Sequence, residues 1–316
     1  MDTAPELSRP PVDAPAEASS DAAAARGATV GIVVDEPSPA PLRGDRRPSL
    51  WRARLAPITA ELRRLQLVIA VYVGTRALLF AVAVADAILR HHRFATEISQ
   101  WDGRWYRDLT EHGYPAQALH TRTTLGFFPM YSILMWLGSH AFAVTPDVAG
   151  LVIALVGGLV ATVLVERLAS GWWGADSGRR AALLFCLFPG SVVFSMIYSE
   201  GVLIALAAGC ILALERRRWL LAGCLAGVAT ATGPTALVLI VVCAVAAAIE
   251  LHGRGWRDAG ARASLLAPLL SLTGVTAFAA FMWAWTGTPF ATMVAQRYGW
   301  GERTNPLALY YQARTL

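Results

Sequence analysis

Residues 63–87 read RRLQLVIAVYVGTRALLFAVAVADA. Apart from Gln66, Thr75, Arg76 and Asp86, every residue after the paired arginines is apolar, aromatic or glycine, and about 20 such residues suffice to cross the hydrocarbon core of a bilayer. A chain in lipid must satisfy its own backbone groups, so the run reads as a transmembrane helix. Arg43, Arg46, Arg47, Arg52, Arg54, Arg63 and Arg64 accumulate just before it. By the positive-inside rule they hold the N-terminus in the cytoplasm and direct residues 65–87 outward.

The rest of the chain has the same character. Of its 316 residues, 55% are hydrophobic and only 16% charged, with mean hydropathy +0.47, against about 25% charged in soluble domains. The expected class is all-α: a polytopic transmembrane helical bundle, a multi-pass protein of the cell membrane. A net charge of +5 and a pI near 9.3 do not imply a nucleic-acid partner, because the basic residues punctuate the gaps between apolar runs and form no single patch. All 27 are arginine, which reads as the bias of a GC-rich genome. The four cysteines, Cys186, Cys210, Cys224 and Cys243, lie inside apolar runs without metal-ligand spacing and read as packing residues.

Residues 1–50 are rich in Ala, Pro, Ser and acidic side chains and are expected to be a disordered tail, leaving 51–316 as the membrane-embedded domain. Beyond residue 87, apolar runs occupy 127–144, 148–165, 181–197, 201–214, 219–232, 235–249 and 265–285. The gaps 166–180, 215–218 and 250–262 hold three arginines each, whereas 145–147, 198–200 and 233–234 hold none. These gaps alternate correctly only if 127–144 does not cross. That run contains Pro129, Ser132, Gly138, Ser139 and His140, which suits an interfacial or re-entrant helix. Seven crossings then remain, several shorter than a straight span requires. The large outer first loop includes ISQWDGRWYRDLTEHGYP at 98–115. Its Arg90, Arg93, Arg104, Arg107 and Arg122 run against the rule, and either the neighbouring carboxylates or an anionic ligand accounts for them.

The blocks WDGRWYRDLTEHGYP and LGFFPMYSIL, LFPGSVVFSMIYSEGVLIAL, RRWLLAGCLAGVATATGPTALVL and TGTPFATMVAQRYGW resemble, in that order, the GPI mannosyltransferase II (PIG-V type) family and its bacterial relatives. These belong to the GT-C group of membrane glycosyltransferases. The resemblance covers residues 65 to about 300. It implies a GT-C helical bundle that moves mannose from polyprenyl-phosphate mannose to an envelope glycolipid, lipoglycan or protein acceptor, with no cofactor beyond the lipid-linked donor. Family members continue with further membrane helices, so a chain stopping at Leu316 is expected to be C-terminally shortened. A transporter or lipid-carrier flippase is the rival reading, although no internal repeat of the kind common in transporters is visible.

Such a transfer needs a carboxylate beside the membrane to accept the acceptor's proton. Asp102, within the family's active loop, is the expected base; the plain alternative is a loop carboxylate paired with Arg104 or Arg107. Trp101, Trp105 and Tyr106 would anchor the loop or form a sugar-contacting wall. Asp108, Glu111 and His112 are weaker candidates, more simply read as a solvated helix face. Glu200 interrupts an apolar hairpin at IYSEG and either lines the site or caps the next helix. Gln296 and Trp300, four apart in AQRYGW, match a family pattern suited to hydrogen bonding and stacking on a sugar. Arg297, Arg303 and the intramembrane Arg76 are expected at the donor phosphate, because Gly233 stands where relatives carry an arginine. No carboxylate pair has the DxD spacing of metal-dependent glycosyltransferases, so no metal is expected.

Overall fold

The computed structural model describes residues 50–91, 93–117 and 119–301; the expected tail and Arg303 lie outside them. Leu50–Leu316 forms a unit distinct from Met1–Ser49. Helices account for its regular structure, and no strand occurs among the described residues. α1 (Leu50–Leu89) leads into the short α2 (Phe94–Ile98) and α3 (Asp102–His112). α4 (Pro129–Phe142) and the long α5 (Pro146–Trp173) both start on a proline, whose missing N–H is harmless there. At α5, the Thr145 hydroxyl also accepts from Val148 N–H and Asp147 sits in the positive first turn.

α6 (Ala175–Leu187), α7 (Glu200–Glu215), α8 (Trp219–Thr230) and α9 (Val238–Arg254) follow. A segmented rod of α10 (Ala259–Ala263), α11 (Leu266–Ser271) and α12 (Thr273–Thr286) comes next, and the one-turn α13 (Ala291–Val294) comes last.

Side-chain bonds define two poles. At one, Trp172 Nε1–H donates to Glu215 and Arg217 pairs with Glu250 at 3.3 Å, which joins the ends of α5, α7 and α9. At the other, Arg107 pairs with Asp147 at 2.7 Å, Met130 N–H donates to the Ala231 carbonyl at 3.1 Å, and Trp285 Nε1–H donates to the Tyr114 carbonyl at 2.9 Å. The arginine-rich gaps therefore share one pole and the 98–115 loop occupies the opposite one. α4 starts beside Ala231 and ends beside Asp147, so both its ends lie at the loop pole and it does not cross.

The arginine distribution predicts seven crossings, more than helix length and composition by themselves supply among the described residues. Among the described residues, Leu65–Leu89, Pro146–Trp173, Pro234–Arg254 and Ala259–Thr286 are long and apolar enough to span as they stand. A fifth is available if the pair Pro189–Ser195 and Glu200–Glu215, bent by 106°, counts as one span. The expected uninterrupted run 181–197 is instead broken. α6 stops at Leu187, Pro189 starts a 3-10 turn, and residues 196–199 leave helical geometry. Proline cannot donate the next helical hydrogen bond, so carbonyls near Cys186 lose their partners.

Arg76 supplies them. Its guanidinium donates to the Ser191 carbonyl, to the Ser191 hydroxyl at 2.9 Å and to the Cys186 carbonyl at 3.3 Å, between the Tyr72 and Phe194 rings. A cation at a helix C-terminus is favoured by the axial dipole.

α5 and α7 touch backbone to backbone. A Cβ on Gly157 would stand 2.8 Å from Gly201 C and Val202 N, and one on Gly201 would stand 2.7 Å from the Ala154 carbonyl oxygen. Neither backbone can yield without moving the start of α7. Gly201→Ala should lower stability by about 1–3 kcal/mol in thermal unfolding, while Gly171→Ala, with open space around it, should not. For topology, Cys224→Ser leaves only buried cysteines. In that background, cysteines at the exposed Ala116 and Arg297 should react with an impermeant thiol reagent from one side of the membrane, and one at His252 from the other. Ala295 is fully buried and unsuitable for such labelling.

Candidate active site

The polar loop enters α3 through a tight turn. Gly103 N–H donates to the Gln100 carbonyl at 3.1 Å, which forces Trp101 to φ 52° and ψ −113°. That region is strained for any residue with a Cβ, and such strain concentrates at functional sites. Asp102 opens α3, where the helix dipole favours its ionised form. Its own N–H donates to the Tyr198 hydroxyl at 3.2 Å. Ile197 N–H donates to the Ile98 carbonyl at 2.9 Å, and the hydroxyls of Tyr106 and Ser199 are bonded at 2.8 Å. Three bonds thus join the segment after the broken helix to α2 and α3.

They bring Glu200, the first residue of α7, within charge–charge range of Asp102. Glu200 Oε2 is buried and makes no hydrogen bond within the protein. Among the described residues, no three His, Cys, Asp or Glu side chains are grouped to hold a metal ion.

A second cluster converges from the far end of the chain. Residues 295–299 form a π-helical turn, a form found disproportionately at functional sites. It sets Gln296 and Trp300 side by side over Gly126, where a Cβ would stand 2.9 Å from Trp300 Nε1 and 3.1 Å from Gln296 Nε2. The Gln296 amide donates to the Gly126 carbonyl at 2.8 Å. Trp300 packs edge-on against Trp105 at 4.9 Å and Phe127 at 5.6 Å, with Arg122 over its ring at 5.7 Å. Trp300 Nε1 and Gln296 Oε1 are buried with no hydrogen-bond partner in the protein. Native structures leave few such groups unmatched, and a ligand rich in hydroxyls would match these.

A cleft of about 630 Å³ opens beside the exposed Trp101, lined by Arg93, Arg104 and Arg107 with Thr96, Ser99 and Gln100. Arg107 is committed to Asp147. Arg93 and Arg104 make no ion pair among the described residues, and Arg104 lies over the Trp105 ring at 5.7 Å. On the other side of α3, an apolar cavity of about 790 Å³ separates α3 and α4 from α8 and α12.

The placements of Arg76 and Tyr106 differ from what the residue types suggest. Arg76 is 3% exposed and donates through both terminal nitrogens to the α6 break, its Nε remaining unmatched, and the 13 residues from it to Leu89 set it about 20 Å of helix below the loop pole. Tyr106 is buried against Phe127 and Tyr131, so it is core and not part of an accessible wall. Burial holds its phenol well above the usual value, which keeps it neutral toward Ser199. Asp108 and His112 bond each other at 3.0 Å on the exposed face of α3. Gly233 is buried, with the flexible end of Leu203, its Cδ1, 3.0 Å from where a Cβ would stand. Arg297 is exposed, its guanidinium over the Tyr298 ring at 5.5 Å.

Residue types alone did not single out Tyr198, Ser199 or Gly126. The first two adjoin Glu200 in the IYSEG block, which was their available signal.

Residues 70–250, more than half of the chain, match the family described as Mannosyltransferase (PIG-V). No curated protein and no solved structure shows significant similarity. The tight fit over Gly126 yields a test of the clamp. Gly126→Ala should cost about 1–3 kcal/mol in thermal unfolding, because the Trp300 and Gln296 side chains must shift together.

Proposed function

The chain belongs to the PIG-V mannosyltransferase family, and from that premise we propose that it takes mannose from polyprenyl-phosphate mannose and adds it to a glycolipid, lipoglycan or protein acceptor at the loop pole. The observation that carries this reading is the proximity of Asp102 and Glu200, two carboxylates each opening a helix, at a pole that also holds a basic cleft and an aromatic clamp with unmatched polar atoms.

In this mechanism the acceptor hydroxyl oxygen attacks C1 of mannose and its proton passes to the Asp102 carboxylate. The C1–O bond to phosphate breaks, and the electron pair leaves on polyprenyl phosphate. Configuration inverts in one displacement. The leaving phosphate is already stable as an anion, so it needs positive charge more than a general acid. Arg104 and Arg93 offer that charge beside Trp101, and Arg297 offers it from the later loop. Glu200 Oε2, Gln296 Oε1 and Trp300 Nε1 hold sugar hydroxyls, with Trp105 and Trp300 against an apolar sugar face. The 790 Å³ cavity beside α3 accommodates lipid chain. The arginine pole faces the cytoplasm and the transfer takes place on the outer side.

Membranes containing the chain should transfer radiolabelled mannose from polyprenyl-phosphate mannose, and membranes lacking it should not. Asp102→Asn keeps the shape and removes the proton acceptor, so turnover should fall about 10²- to 10⁴-fold with the protein still folded. Full activity in that variant removes Asp102 from the mechanism. Arg104→Ala should raise the donor concentration needed without altering acceptor dependence, and Arg104→Lys should do so less, because it keeps charge but not the planar fork. If only Arg297→Ala has this effect, the phosphate lies on the later loop.

A further inference from the structure

A groove of about 580 Å³ runs down the bundle between α5, α7 and α8, from near the start of α7 to the arginine pole. Its walls are aliphatic, among them Val160, Leu164 and Leu225, and its floor is lowered by Gly209. Val156 and Val160 are 55% and 43% exposed, so this face looks into the surrounding membrane. Along α7 the groove extends from Val202 to Leu212. Ten residues of helix rise about 15 Å, half of the roughly 30 Å hydrocarbon core.

The groove ends in charge. Arg216 and Arg218 line its mouth at the arginine pole and make no ion pair among the described residues. Between them, Arg217 adopts φ 54°, a left-handed conformation unfavourable for a residue with a Cβ. That turn sends Arg217 to Glu250 on α9 and leaves its two neighbours over the groove. The nearest carboxylate in sequence, Glu215, is occupied by Trp172 Nε1–H.

We infer that this groove is a binding site for one anionic phospholipid of the leaflet at the arginine pole, with an acyl chain against α5, α7 and α8 and its phosphate on Arg216 and Arg218. An apolar slot one leaflet deep ending in two guanidiniums is complementary to a lipid whose net negative charge sits above its chains. A zwitterionic head carries its own ammonium and satisfies the pair less well. This site is separate from the transfer site and does not depend on the identity of the sugar donor or acceptor.

The test uses the whole chain, delipidated in detergent, with native mass spectrometry and thermal unfolding in added phosphatidylglycerol or phosphatidylcholine of the same chains. One phosphatidylglycerol should bind with a preference of about tenfold or more over phosphatidylcholine. The double variant Arg216→Ala, Arg218→Ala should lose that preference, and Arg216→Lys, Arg218→Lys should keep it. Gly209→Leu fills the floor, where its Cβ meets only the ends of Leu225 and Leu164 at 3.3 and 3.8 Å; it should weaken binding of both lipids. Equal binding of the two lipids by the unaltered protein overturns the inference, as does a preference that survives the double alanine change or lipid binding that Gly209→Leu leaves unchanged. A protein dimer with no lipid adduct would show instead that a second copy covers this face.

Discussion

An arginine inside an apolar helix is tolerated only where the protein supplies its partners, and a helix that stops inside lipid is tolerated only where something accepts its orphaned carbonyls. Here each defect answers the other. Arg76 of α1 donates into the end of α6, where Pro189 has stopped the helix and left Cys186 and Ser191 to be satisfied. The chain is then free to leave helical geometry at 196–199 and hand Ile197, Tyr198 and Ser199 to α2 and α3. Without that cap, a straight continuation of α6 would carry Glu200 past the loop instead of beside Asp102.

The site is therefore assembled from two helix beginnings. α3 starts at Asp102 and α7 at Glu200, and each carboxylate sits where the axial dipole favours negative charge. Repulsion between them opposes this, so bringing both to one lip costs energy that the surrounding packing must offset. Part of that packing is the glycine contact between α5 and α7, which fixes the first turn of α7 against Ala154 and Gly158. Strain at Trp101 is a second such cost, held by the turn that aims Asp102.

Depth follows from helix length. α7 has 16 residues and α8 has 12, or about 24 and 18 Å of rise, less than the roughly 30 Å of hydrocarbon. With their other ends tied to the arginine pole, the floor of the loop pole is recessed toward the membrane interior. α3 and α4 lie over this recess, and the aromatic clamp of Trp105, Phe127 and Trp300 closes it from the side.

Much of this was legible in the chain itself. Long apolar runs can satisfy their backbone in lipid only as helices, and arginines are costly to translocate, so composition and charge alone determined an all-α membrane bundle, its two poles and the non-crossing of 127–144. The ordered sequence blocks marked Asp102, Glu200, Gln296 and Trp300 as worth weighing. Only the tertiary structure decided what each side chain does, because that depends on partners far away in sequence. Arg76 reads as a ligand-binding charge until Ser191, 115 residues on, is seen to take it. Tyr106 reads as an exposed ring until Ser199 is found against it. Gln296 and Trp300 are neighbours by spacing, yet it is Gly126, 170 residues from Gln296, that lets them meet the first loop. Hydropathy and charge act residue by residue and survive in a linear reading, whereas hydrogen-bond satisfaction and close packing are properties of pairs, and the fold chooses the pairs.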